Sequence, residues 1–120
     1  MLTTLVSVGG YSQPNEYAKP EVGIVEVVTF KIKEGISYED AKQKLLSLNE
    51  CVEAFDGFIE RRLSVNENDE WLDMVFWTNK EAALKAAELV MSNPKAMEVF
   101  AIMDETSLKI NHYNTITLNN

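Results

Sequence analysis

The 120-residue chain has a single histidine, His112, and proton transfer near neutral pH is the chemistry such a side chain suits. A carboxylate, Glu26, interrupts the apolar run VGIVEVVTFKIK at residues 22–33. Ionised and unpaired in those surroundings, it would carry a large desolvation cost. Two arrangements satisfy it: it pairs with His112 as an acid or base, or it stands at the wet end of its strand. His112 has a plain alternative of its own, a strand-end histidine bonded to a neighbour. If the two are adjacent, they form the candidate catalytic pair.

The aromatic groups concentrate in EWLDMVFWTNKEAALKAA, residues 70–87, which holds both tryptophans, Trp71 and Trp77. Trp77 and Phe76 are candidates for a flat wall against a planar ligand, with Met74 and Val28 beside them. As core aromatics they need no ligand. Asp73 and Arg62 are expected to form a cross-strand pair with a structural role. Cys51, the only cysteine, has no neighbouring histidine and reads as an inert, partly buried thiol. The chain contains no CxxC, no HExxH and no glycine-rich phosphate loop. No metal and no cofactor are therefore expected.

The elements that must carry these residues follow in chain order. Residues 1–20 include Gly9-Gly10, Pro14 and Pro20 and read as an N-terminal arm, with the domain at residues 21–120. Residues 22–33 read as a strand covered on both faces. Ser37, with Asp40 three residues on, caps a helix. Its stripe is Ala41, Leu45, Leu48, Val52 and Phe55, giving four to five turns before Asp56-Gly57. Residues 58–66 alternate, with Ile59, Arg61, Leu63 and Val65 on one face and Phe58, Glu60, Arg62 and Ser64 on the other. The polar turn 67–69 leads into a strand at 70–78. Asn79 caps an alanine-rich helix over 80–92, Pro94 opens a short one to Met103, and a last strand covers about 106–113.

That order, β-α-β-β-α-β, predicts an α+β ferredoxin-like domain: a four-stranded antiparallel sheet with helices on one face. The first strand then lies between the third and the fourth. Glu26, His112 and Trp77 or Phe76 should gather at one end of the sheet. Glu26 and His112 are assigned to the helix face, and so is Phe76. The odd residues Trp71, Val75 and Trp77 are assigned to the open face with Val25 and Val27, so that Trp77 reaches the helix-side site only if alternation lapses at the strand end. An apolar patch of that kind needs cover, and a homodimer packing sheet against sheet supplies it.

Composition narrows the partners. Charged residues make up 25% and the net charge is -8, so nucleic acid and anionic membranes are poor partners. No apolar run is long enough to span a bilayer. The opening MLTTLVSVGG lacks a basic n-region. With one cysteine and no leader, a cytoplasmic protein is expected.

The segments VVTFKIKEG, AFDGFIERRLS and WLDMVFWTNKEAALKAA, within residues 22–113, resemble the dimeric α/β-barrel superfamily. The likeness is strongest to antibiotic biosynthesis monooxygenase-like domains. The resemblance implies a homodimer whose sheets form a barrel, with a pocket between each sheet and its helices for a small apolar or aromatic ligand. Members include oxygenases of aromatic and quinol substrates that use neither metal nor flavin, in which a tryptophan near the third strand takes part. Haem-degrading members rely on an asparagine, a tryptophan and a histidine. Here Val28 stands at the asparagine position and Ala86 near the tryptophan position, and no histidine lies between Asn79 and Met103. Haem degradation is not expected. The implied function is a cofactor-independent monooxygenase-like reaction on an aromatic or quinol-type molecule, with Glu26 and His112 moving the proton. The alternatives are a non-catalytic binding or sensing dimer of the same fold, or proton-transfer chemistry such as isomerisation.

Overall fold

The computed structural model describes residues 20–116. The expected arm over residues 1–20 lies, but for Pro20, outside the described residues. The elements are β1 (Ile24–Ile32), α1 (Tyr38–Ser47), α2 (Asn49–Val52), β2 (Phe58–Val65), β3 (Trp71–Trp77), α3 (Lys80–Val90), α4 (Pro94–Phe100) and β4 (Met103–Asn114). The four strands form one antiparallel sheet in the order β2-β3-β1-β4. It is the ferredoxin-like arrangement, and the sheet is not closed.

Local chemistry sets the boundaries. The Ser37 hydroxyl accepts from the Asp40 amide at 3.1 Å and starts α1. Asn79 and Asn93 cap α3 and α4 in the same way, at 2.8 Å and 3.0 Å, and each satisfies an amide that has no partner inside its helix. In the β2–β3 hairpin the Asn66 side-chain oxygen accepts from the amides of Asn68 and Glu70. Gly57, before β2, has φ +84, and a Cβ there would meet the Ala82 Cβ at 2.5 Å and the Thr78 hydroxyl at 2.8 Å. Only glycine fits that crossing of β2 under α3.

The core lies between the helices and one sheet face. Ala41 and Leu45 from α1, Leu48 at its end, Val52 from α2, Ala83 and Ala86 from α3, and Ala96 and Val99 from α4 are buried against Ile24, Phe30, Trp71, Val75 and Trp77. The alanines of α3 let its backbone sit close to the sheet.

Three expectations are corrected. The first concerns the faces of β3. Ile24 pairs with Trp77, Glu26 with Val75 and Phe30 with Trp71, so even positions of β1 share a face with odd positions of β3. Trp71, Asp73, Val75 and Trp77 are all buried under the helices. Leu72, Met74 and Phe76 face the open side with Val25, Val27 and Thr29. The second concerns β2, where a bulge lies between Phe58 and Glu60. It flips the alternation, so Phe58 sits opposite Trp77 on the helix side and Glu60 opposite Phe76 on the open side. The third concerns the helix expected from Ser37 to Phe55, which is two segments meeting at Leu48. The Leu48 amide closes a tight turn onto the Leu45 carbonyl at 3.3 Å. That carbonyl also accepts from Arg61 Nη1 at 2.7 Å. A buried guanidinium thus takes up a helix-end acceptor at the break.

Candidate functional site

Glu26 lies near the start of β1, an inner strand, at one end of the sheet. On β1 it is flanked by Val75 of β3 on one side and His112 of β4 on the other. All three side chains point to the helix face, because the pairing puts even β1, odd β3 and even β4 positions on the same side. Trp77, two residues beyond Val75, reaches back diagonally. Its indole Nε1 donates to Glu26 Oε1 at 3.0 Å. On the other side His112 Nε2 stands 3.9 Å from Glu26 Oε2, which is within ion-pair range but too long for a hydrogen bond. The side chains of His112 and Glu26 are 20% and 15% exposed. His112 Nε2 is itself buried and has no hydrogen-bond partner among the described residues.

These surroundings act on the carboxyl of Glu26. Burial pushes its pKa above the ordinary value, and the Trp77 hydrogen bond and the His112 charge pull it partly back. The Asp73 carboxylate, on the same face, adds a smaller upward push. A group of this kind can exchange a proton closer to neutrality than a free carboxylate can.

The candidate residues do not all meet. Glu26, His112 and Trp77 converge, and Val28, the next helix-side residue on β1, lies opposite Ile110 of β4. Ile110 is 54% exposed although it shares the helix-side face. An apolar strip therefore runs from the Glu26–His112 pair toward solvent along β4. Phe76 and Met74 lie on the opposite face of the sheet. Phe76 carries the Arg62 guanidinium 5.9 Å over its ring. Trp77 is not a free flat wall: it is 2% exposed, with Phe58 edge-on at 6.0 Å and its N–H used by Glu26. Cys51 is partly buried, and desolvation raises its thiol pKa, which fits an unreactive group.

Sequence reasoning missed Arg61. Asp73 pairs with Arg61, not Arg62, through a two-pronged bridge of 2.9 Å and 2.6 Å. Arg61 Nη1 also donates to the Leu45 carbonyl and to Asn49 Oδ1, both at 2.7 Å. The available signal was Arg61 standing on the dry face of β2 among Leu63 and Val65: a charge on a buried face needs a partner there. Arg62 instead bonds Glu60 at 2.6 Å on the open side. Among the described residues, no group of three or more His, Cys, Asp or Glu could hold a metal ion, and no helix is long and apolar enough to cross a membrane.

Solved structures with this fold are numerous. A variant of SnoaB, a cofactor-independent oxygenase from Streptomyces nogalater, superposes with a TM-score of 0.67 at 14% identity, over 83% of this chain and 100% of that one. A Bordetella bronchiseptica protein ascribed to the antibiotic biosynthesis monooxygenases gives 0.68 at 11% identity, over 81% and 100%. A dimeric ferredoxin-like protein from an uncultured marine organism gives 0.58 at 14% identity, over 83% and 93%. No family model matches the chain, and no curated protein does. At these identities the likeness establishes the fold.

Proposed function

We propose that this chain, which has the ferredoxin-like fold of the antibiotic biosynthesis monooxygenase-like proteins, is a homodimer that oxygenates a small aromatic or quinol-type molecule without a cofactor. The observation that carries the reading is the Glu26–His112 pair on the helix-side face: two proton-handling groups, partly buried, beside the apolar strip of Val28 and Ile110. The fold it shares with the SnoaB oxygenase supports the reaction type.

In this scheme the pair takes the proton of a phenol-type substrate, and the electron-rich, carbanion-like form attacks dioxygen. A ring methylene then becomes a carbonyl: CH2 plus O2 gives C=O plus H2O. A C–O bond forms first. The O–O bond breaks as the second C–H proton leaves, so the substrate supplies every electron and no external reductant is needed. Val28 lines the substrate side, and Trp77 holds Glu26 from behind. Met74 and Phe76, with Val25, Val27 and Leu72, form the open sheet face that packs against the partner's in the barrel.

Oxygen uptake with a panel of anthrones and hydroquinones tests the reaction. Uptake by the wild type that falls about 10²–10⁴-fold in His112→Ala is expected. If no substrate drives uptake, while quenching of tryptophan fluorescence reports tight ligand binding, the oxygenase reading is replaced by a non-catalytic binding dimer. Sedimentation tests the assembly: Val27→Lys, which places a charge on the open face, should convert dimer to monomer. A dimer that survives this change rules out sheet-to-sheet packing.

A further inference from the structure

We propose that the gap between Glu26 and His112 is a seat for one hydroxyl oxygen of the ligand, and that Trp77 is the positioning residue that builds it. This rests on the reading that the helix-side face holds a small-molecule site. Three observations converge on it. The Trp77 indole occupies Glu26 Oε1 at 3.0 Å, which leaves Oε2 turned toward His112. Oε2 and His112 Nε2 are 3.9 Å apart, too far to bond each other. His112 Nε2 is buried with no partner among the described residues, a condition that costs free energy until something fills it.

The gap has a definite shape. An oxygen about 2.8 Å from both atoms, an ordinary hydrogen-bond length, sits at the apex of a nearly right-angled triangle over the 3.9 Å base. The two partners are chemically different. A carboxylate oxygen only accepts, while a neutral imidazole nitrogen donates or accepts according to its tautomer. A hydroxyl matches both at once, because it donates to Glu26 and accepts from His112. An ether or ketone oxygen can only accept, so it leaves the carboxylate side unmatched. The exposed Ile110 beside the pair gives the rest of such a molecule an apolar approach from the β4 edge.

Because the chain has one histidine, its imidazole nitrogens give a single set of ¹⁵N resonances. Phenol and anisole present the same ring and an oxygen, but only the phenol oxygen can donate. Titrating each into the full-length protein under nitrogen, so that no turnover occurs, should move the His112 Nε2 resonance saturably with phenol, which should bind about tenfold tighter than anisole. Trp77→Phe keeps a ring and removes the N–H, so the preference should fall toward parity. If that buried substitution prevents folding, Glu26→Met carries the same expectation. Equal binding of phenol and anisole overturns the proposal, as does an Nε2 resonance that neither compound moves, which would mean that the gap takes only water. The outcome is independent of oxygen uptake: a phenol preference without turnover keeps the seat and removes the oxygenase. Turnover with no preference does the reverse.

Discussion

Two carboxylates on the same sheet face, on adjacent strands, have opposite fates. Asp73 on β3 receives both prongs of Arg61, and Arg61 spends its remaining reach on the Leu45 carbonyl and on Asn49. The ion-pair side chains are 4% and 9% exposed. Glu26 on β1 has one hydrogen bond and a histidine held 3.9 Å away. The first network is saturated: it joins β2 and β3 to the break between α1 and α2 and has nothing left to offer a ligand. The second keeps an oxygen and a nitrogen in reserve. Unused hydrogen-bonding capacity in a semi-buried place costs stability, so the contrast sets Asp73 apart as architecture and supports the proposed role of Glu26.

The comparison can be broken at either end. The largest effect belongs to Asp73→Ala, which strands the buried Arg61 charge and should cost about 3–5 kcal/mol in urea unfolding. A loss under about 1 kcal/mol would mean that the network does not hold the fold. Replacing both partners, Arg61→Met with Asp73→Leu, should cost clearly less than the single change, since no charge is then left buried and unpaired.

The smallest effect, and the one of opposite sign, belongs to Glu26→Gln. The folded-state pKa of Glu26 lies above the ordinary glutamate value of 4.5. Below 4.5 the carboxyl is protonated in both folded and unfolded chains and imposes no penalty. As pH rises from there through the raised folded value, the unfolded chain releases its proton first, and the native state loses stability relative to it. The variant should therefore gain stability over the wild type as pH increases through that window and hold the gain above it. Parallel pH–stability curves for the two proteins would show that Glu26 is as well satisfied as Asp73 and would end the distinction.

Much of the arrangement is legible in the sequence for local reasons. The caps at Ser37, Asn79 and Asn93 act within three residues, so a sequence pattern captures them. That Glu26, His112 and Trp77 stand on neighbouring strands follows from strand order, because β1 lies between β3 and β4, whereas their sharing one face depends on register. Arg61 was harder. Its partners, Asp73, Asn49 and the Leu45 carbonyl, come from three different elements, so its place on the dry face of β2 signals a buried charge without naming what receives it.

By itself the sequence determined the order of elements and, where a strand runs without a bulge, which of its residues share a face, since successive side chains alternate. It placed a lone histidine and a lone carboxylate in otherwise apolar company. Which faces belong together was decided only by the tertiary structure. The pairing of Ile24 with Trp77 matches even residues of β1 to odd residues of β3, and one step of register would have reversed it. The bulge before Glu60 reset the alternation of β2 in the same way. Those two choices sent Phe76 and Met74 to the open face and buried both tryptophans. They left Trp77 able to hold Glu26 and point its free oxygen at His112. Alternation is a property of one chain segment, whereas register depends on how two segments pack. For that reason the alternation along a strand could be read from the residues, and which faces meet could not.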